Sequence, residues 1–161
     1  MQITDISKIT ETLYLGNMSG AYNENRLKFI GIEKILTVMS HFGRHYPKET
    51  FNHKVINIDD TQNSNIIQYF KECLLFIEGK EKILVHCAAG ISRSATIVIA
   101  YIMWKEKKSL NDAIKLVKSK REEIFPNFGF IEQLKIFEKL IKQNNYDLNK
   151  INFSEIKINK V

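Results

Sequence analysis

Hydrophobic and polar positions along this chain follow two periods, and the period changes at turn residues. Ile9–Leu15 is a short, largely apolar run closed by Gly16-Asn17, which predicts a strand. Ser19–Phe29 has helical spacing, with Ala21, Leu27 and Ile30 available for burial and Gly31 as the stop. Lys34–Met39 and Lys54–Ile58 are rich in β-branched residues and predict two strands, separated by the polar loop His41–His53 with its Gly43 and Pro47. Asn65–Glu78 places Ile66, Phe70, Cys73, Leu74 and Ile77 at i, i+3, i+4 spacing and predicts a helix ended by Gly79. Lys82–His86 is a brief apolar run of the kind found in buried parallel strands. Ser92–Lys105 is apolar over most of its length and predicts a buried helix. Ser109 to Asp112 is a capping-box-like start, with Asp where Glu or Gln is usual, for a helix over Leu110–Ile124. Pro126-Asn127 interrupts, and Phe130–Gln143 predicts a last amphipathic helix through Leu134, Phe137 and Ile141.

Strands alternating with helices around a buried strand predict an α/β fold, a central mostly parallel sheet flanked by helices. At 161 residues the chain is sized for one domain. Residues 1–143 read as that domain. Residues 144–161 read as a polar tail with a thin scatter of Ile151, Phe153, Ile156 and Ile158, either frayed or laid against the body. Apolar residues at 44% and charged residues at 26% are globular values and exclude disordered and fibrous classes. No apolar run approaches the roughly 18–20 residues that span a bilayer, so no stable membrane insertion is expected. The N-terminal stretch lacks the charged and apolar regions of a signal peptide. Cys73 and Cys87 are too few for a disulfide framework and fit a reducing compartment, the cytoplasm or the nucleus. The net charge of +6 permits an anionic partner without choosing one. No aromatic-rich basic motif accompanies it, so no nucleic-acid partner is expected. Oligomeric state is not legible.

The chemistry concentrates in Val85-His86-Cys87-Ala88-Ala89-Gly90-Ile91-Ser92-Arg93-Ser94-Ala95-Thr96. The loop sits at the C-terminal end of a parallel strand, where open α/β sheets bind ligands. Its small residues let backbone N–H groups curl inward above a helix N-terminus, an arrangement that holds a phosphate dianion. A thiol facing such donors is favoured as the thiolate, which is the nucleophilic form. Arg93 can grip two phosphate oxygens through its planar fork. A nucleophile and a phosphate clamp on one loop point to attack on phosphorus.

Cys-x5-Arg within His-Cys-x-Ala-Gly-x-Ser-Arg-Ser resembles the signature of cysteine-dependent protein phosphatases, and VHCAAGISRSATIVIAYIM is most similar to their dual-specificity branch. The resemblance extends over Ile9–Asn17, over Ile58-Asp59-Asp60-Thr61-Gln62 with Ile66 and Tyr69-Phe70, and from Arg121 through Pro126-Asn127-Phe128-Gly129-Phe130 to Gln133-Leu134. It implies a protein tyrosine phosphatase-like fold and a phosphocysteine mechanism that needs no cofactor and no metal. By the same resemblance the catalytic residues are Cys87 as nucleophile, Arg93 as clamp, Asp60 as general acid and Ser94 as the hydroxyl that eases departure of the thiolate. The residues from Ala88 through Gly90 and Ile91 to Ser92, with Ala89 and Arg93, bind phosphate, and His86 orders the loop. The family pattern sets the acid six residues before Ile66, at Asp60; Asp59, its neighbour, is the other candidate. Cys73, on the apolar face of its helix, reads as core rather than as a redox partner of Cys87. His41, His45 and His53 have no metal-ligand spacing.

Neutral Ala88, Ala89 and Ile91 in the loop argue against a polyphosphorylated lipid head group and for phosphotyrosine and phosphoserine/threonine of proteins, kinases among them. A lipid or glucan phosphate, or an inactive phosphoprotein-binding module, is the alternative. The pattern begins near Ile6, which implies an atypical stand-alone member without an N-terminal docking domain.

Overall fold

The computed structural model describes residues 4–160; Met1–Ile3 and Val161, which the spans 1–143 and 144–161 take in, lie outside the described residues. Among the described residues, strands β1 (Ile6–Lys8), β2 (Leu13–Gly16), β3 (Lys34–Val38), β4 (Asn52–Ile56) and β5 (Ile83–His86) form one sheet in the order β1-β2-β5-β3-β4. β2, β5, β3 and β4 run parallel, and β1 is antiparallel to β2 at one edge. The sheet is therefore mostly parallel, as the alternation predicts. β5 lies in the middle, and all four of its side chains are buried.

The strands divide their side chains between the two faces. Ile83 and Val85 of β5 join the larger core, and Leu84 joins the smaller one. The larger core lies under α3 (Phe70–Ile77), α4 (Arg93–Lys105), α5 (Leu110–Lys120) and α6 (Phe128–Gln143), with α4 buried without a break from Ser94 to Met103. The smaller lies under α1 (Met18–Tyr22) and α2 (Glu24–Ile30) and holds Ala21, Leu27, Ile35 and Tyr46.

Several boundaries differ from the periodicity, each for a local reason. The run Ile9–Leu15 is a turn followed by a strand, because the Thr10 hydroxyl accepts from the Leu13 amide (3.1 Å) and competes with the ladder. The single helix expected over Ser19–Phe29 breaks at Asn23. Its amide closes α1 on Gly20, and its side chain accepts from Arg26 N (3.1 Å) to cap α2. β4 begins at Asn52 rather than Lys54, because it pairs residue for residue with β3 from Lys34 onward. The helix expected over Asn65–Glu78 opens as a 3-10 turn at Ile67–Tyr69 before α3. α5 stops at Lys120, where Arg121 turns extended, and α6 starts two residues before Phe130 because Asn127 caps it. Residues 144–160 are laid against the body. Leu148, Ile151 and Phe153 are buried in the larger core, and Trp104 Nε1 donates to the Tyr146 carbonyl (2.9 Å). No helix among the described residues is long and apolar enough to cross a membrane.

Candidate active site

β5 ends at His86 and α4 begins at Arg93, so the intervening loop lies where the sequence places it. Ser92, the cap residue of α4, makes no side-chain cap bond. The first amides of α4 thus keep donors that a capping side chain would otherwise share, and such a terminus attracts an anion. Cys87 is 2% exposed. Its Sγ accepts from the Gly90 amide (3.3 Å) and lies 3.0 Å from Ser94 Oγ. Gly90 has φ +66°, and a Cβ there would stand 2.5 Å from the Gly16 carbonyl oxygen and 2.7 Å from Arg121 Nη2, so both conformation and space require glycine. Arg93 Nη1 donates to the Ile58 carbonyl (3.1 Å), while its Nε is buried without a partner. A buried guanidinium nitrogen left open suits a ligand oxygen.

The back of the loop is held by a residue to which the sequence assigns no site role. Arg121 is 1% exposed and donates to Gly90 O (2.8 Å), Ala89 O (3.3 Å), Thr4 O (2.5 Å) and Ser7 Oγ (3.1 Å), with Glu123 at 3.2 Å. Burial pulls its pKa down from the ordinary arginine value, while Glu123 and Cys87 pull it back up. With the carbonyls of Ala89 and Gly90 drawn backward, the loop is free to present amides forward.

His86 is fully buried. Its Nε2 is 2.7 Å from Thr37 Oγ1, which is 2.8 Å from His53 Nε2, and its Nδ1 is 3.3 Å from the Cys87 carbonyl oxygen. Desolvation lowers its pKa to about 4, the Cys87 carbonyl opposing and His53 adding to the shift. A neutral imidazole bonded on both nitrogens fixes the end of β5.

Asp60 is exposed but tied to the loop. Its Oδ1 accepts from Ser92 Oγ (2.8 Å) and from Asn127 Nδ2 (2.8 Å). Asp59 instead accepts from Ser40 Oγ, just past β3. The acid loop rests on the start of α6. A Cβ on Gly129 would stand 2.0 Å from the Gln62 carbonyl oxygen, and buried Gln133 accepts from Ile67 N (3.0 Å) and donates to Ser64 O (2.9 Å). Cys73 lies in the core of α3, its thiol pushed up by burial, and both cysteines are free.

The structure thus gathers Cys87, Arg93, Ser94, Ser92 and Asp60 in one place with His86 behind them. The amides of Ala88 to Ile91 form the loop between them. Arg121, Asn127, Gln133 and Thr37 are functional neighbours that the sequence reading gave no role. The only signals were the Pro-Asn pair before a helix and the presence of Arg121, Asn127 and Gln133 within the family-like stretch.

Residues 13–140 match the family model described as dual specificity phosphatase, catalytic domain. The chain is 48% identical over 134 residues to the MAP kinase phosphatase with leucine-rich repeats protein 1 of Dictyostelium discoideum, covering 81% of this chain and only 16% of that protein. It is 40% identical over 144 residues to dual specificity protein phosphatase 1B of Arabidopsis thaliana, covering 87% of this chain and 86% of that one. Among solved structures it is similar to the human tyrosine phosphatase-like serine/threonine/tyrosine-interacting protein, with TM-score 0.81, 35% identity, and coverage of 85% and 97% of the two chains.

Proposed function

The chain belongs to the dual specificity phosphatase family, and on that premise we propose that it removes phosphate from tyrosine and serine or threonine of proteins through a phosphocysteine intermediate. One observation carries the reading: Cys87 Sγ sits between the Gly90 amide and the Ser94 hydroxyl, at the uncapped start of α4, beside an Arg93 with an open Nε.

In the first step the Cys87 thiolate forms a bond to phosphorus as the ester P–O bond breaks. The proton of Asp60 passes to the departing oxygen, which leaves badly as an anion. Arg93 and the loop amides from Ala88 to Ser92 stabilise the charge on the equatorial oxygens. In the second step water attacks phosphorus and gives its proton to the Asp60 carboxylate. The P–S bond breaks, phosphate leaves, and Ser94 donates to the returning thiolate. Asp60 is favoured over Asp59 because it is bonded to Ser92 of the loop, whereas Asp59 is engaged by Ser40.

Phosphoproteins, kinases among them, are the proposed substrates. The relative with leucine-rich repeats carries MAP kinase phosphatase in its name, and the loop side chains of Ala88, Ala89 and Ile91 are neutral. A signalling role in a reducing compartment, the cytoplasm or the nucleus, suits a thiol nucleophile. The test is turnover on a matched panel of phosphotyrosine and phosphothreonine peptides, a phosphoinositide and a phosphoglucan. Faster hydrolysis of both peptide classes is expected. A preference for the lipid or the glucan overturns the protein-substrate reading.

A further inference from the structure

Asp60 lies on a stretch without helix or strand between β4 and the 3-10 turn, with exposed residues on either side. Two groups that hold its carboxylate come from outside that stretch, one from the phosphate loop and one from the residue that caps α6. Ser92 Oγ and Asn127 Nδ2 both lie 2.8 Å from the same oxygen, Oδ1. The Asn127 amide is itself fixed. Its Oδ1 accepts from Phe130 N (2.9 Å) as the cap of α6, which turns its Nδ2 toward Asp60. The Ser92 hydroxyl has one hydrogen. It receives the Asn127 backbone N–H (3.0 Å) and spends that hydrogen on Asp60. The three residues form a closed set in which each donor has one acceptor.

This set has a consequence for proton transfer. Two donors on Oδ1 occupy the positions a carboxyl hydrogen would need there. The transferable proton must then reside on Oδ2. We infer that Asn127 is the positioning residue of the general acid: one side chain caps α6 with its oxygen and, with its nitrogen, fixes which oxygen of Asp60 carries the proton. The inference rests on the reading of Asp60 as the acid. The Asn127 side chain touches neither the phosphate loop's nucleophile nor the scissile bond, and it reaches the reaction through Asp60.

The close approach of Gly129 to Gln62 and the bonds of Gln133 to Ser64 and Ile67 place the acid loop on the same turn of α6. Those contacts set the loop's position. Asn127 and Ser92 hold the carboxylate's rotation.

The experiment separates capping from positioning. Asn127→Ser keeps a good cap residue and lacks the donor that reaches Asp60. The variant is assayed for kcat/KM, which reports the steps up to departure of the leaving oxygen and not hydrolysis of the phosphocysteine, on a phosphotyrosine peptide, whose leaving oxygen needs a proton, and on an aryl phosphate with strong electron-withdrawing groups, whose leaving oxygen does not. General acid catalysis is worth roughly 10²–10⁴-fold, and misalignment should forfeit part of it. Asn127→Ser should lose about tenfold on the peptide and less than about threefold on the activated ester. The double variant Asp60→Asn/Asn127→Ser should be no slower than Asp60→Asn alone, because two residues acting through one group are not additive. Equal losses on both esters, or an additive double variant, overturn the inference. If Asp60→Asn itself slows both esters equally, the acid assignment has failed rather than the role of Asn127.

Discussion

The two loops that meet over the phosphate site are built in opposite ways. The loop from Cys87 to Ser92 is held at its base: it bridges two consecutive elements, its cysteine is buried, and the guanidinium of Arg121 takes the carbonyls of Ala89 and Gly90. The loop around Asp60 is exposed and fixed from without. Its anchors are Ser92, Asn127 and Gln133, the last two more than sixty positions away in sequence. The difference follows the two tasks. Donors that stabilise transition-state charge must be aligned before reaction, since reorienting them during it raises the barrier. A proton donor need only be aimed, and at the rim it can serve esters of different shape.

The sharpest test of the comparison removes the buried nucleophile. Cys87→Ser should lower hydrolysis of any phosphate ester by roughly 10⁴-fold or more, while phosphate still binds, because the amides and Arg93 remain. Turnover that survives would break the assignment of the inner loop. Next in size, Arg121→Met leaves the carbonyls of Ala89 and Gly90 without their buried donor. A cost of about 3–5 kcal/mol in urea unfolding is expected, with weaker phosphate binding. A variant as stable as the parent would show that the inner loop does not depend on that guanidinium.

The outer loop should respond in rate and not in stability. Asp60→Asn should slow turnover of a phosphotyrosine peptide by about 10²–10³-fold with an unchanged urea midpoint. Asp59→Asn, which disturbs only the contact with Ser40, should change the rate by less than about threefold. The reverse ranking would move the acid by one residue.

The same contrast explains what could be seen in the sequence. The inner loop is local, so its residues stand together in Val85–Thr96 and the period change on either side marks the strand and helix that hold it. Four of the five strands and the α3–α6 helices are legible for the same reason, since each carries its own period. Ile6–Lys8 is not, because a three-residue edge strand exists only by pairing with β2. The split of the first helix at Asn23 is a contest between capping and propagation that spacing does not reveal. Arg121 and Asn127 carry no period and sit in a turn. Their roles depend on the packing of α6 and the N-terminal strand against loops far away in sequence. Asp60 needed the family pattern to separate it from Asp59, since adjacent exposed carboxylates look alike until a partner distinguishes them.

The inner side also carries a dependence on pH. His86 is held near pKa 4 by burial, well below the ordinary value of about 6.5. His53, bonded to the same Thr37 hydroxyl, is also lowered, first by burial and then by His45. Between the two His86 values the unfolded chain binds a proton that the folded chain refuses. The stability contributed by neutral His86 is therefore full above about pH 6.5 and is lost as pH falls toward 4, by up to about 3 kcal/mol. Urea midpoints measured at pH 7, 5.5 and 4.5 should fall in that order, and in His86→Asn the fall across this window should be shallower even though the variant starts lower. Parallel slopes in the two proteins would mean that the acid sensitivity arises elsewhere, and that the imidazole behind the loop is not the buried, neutral strut its contacts with Thr37 and Cys87 describe.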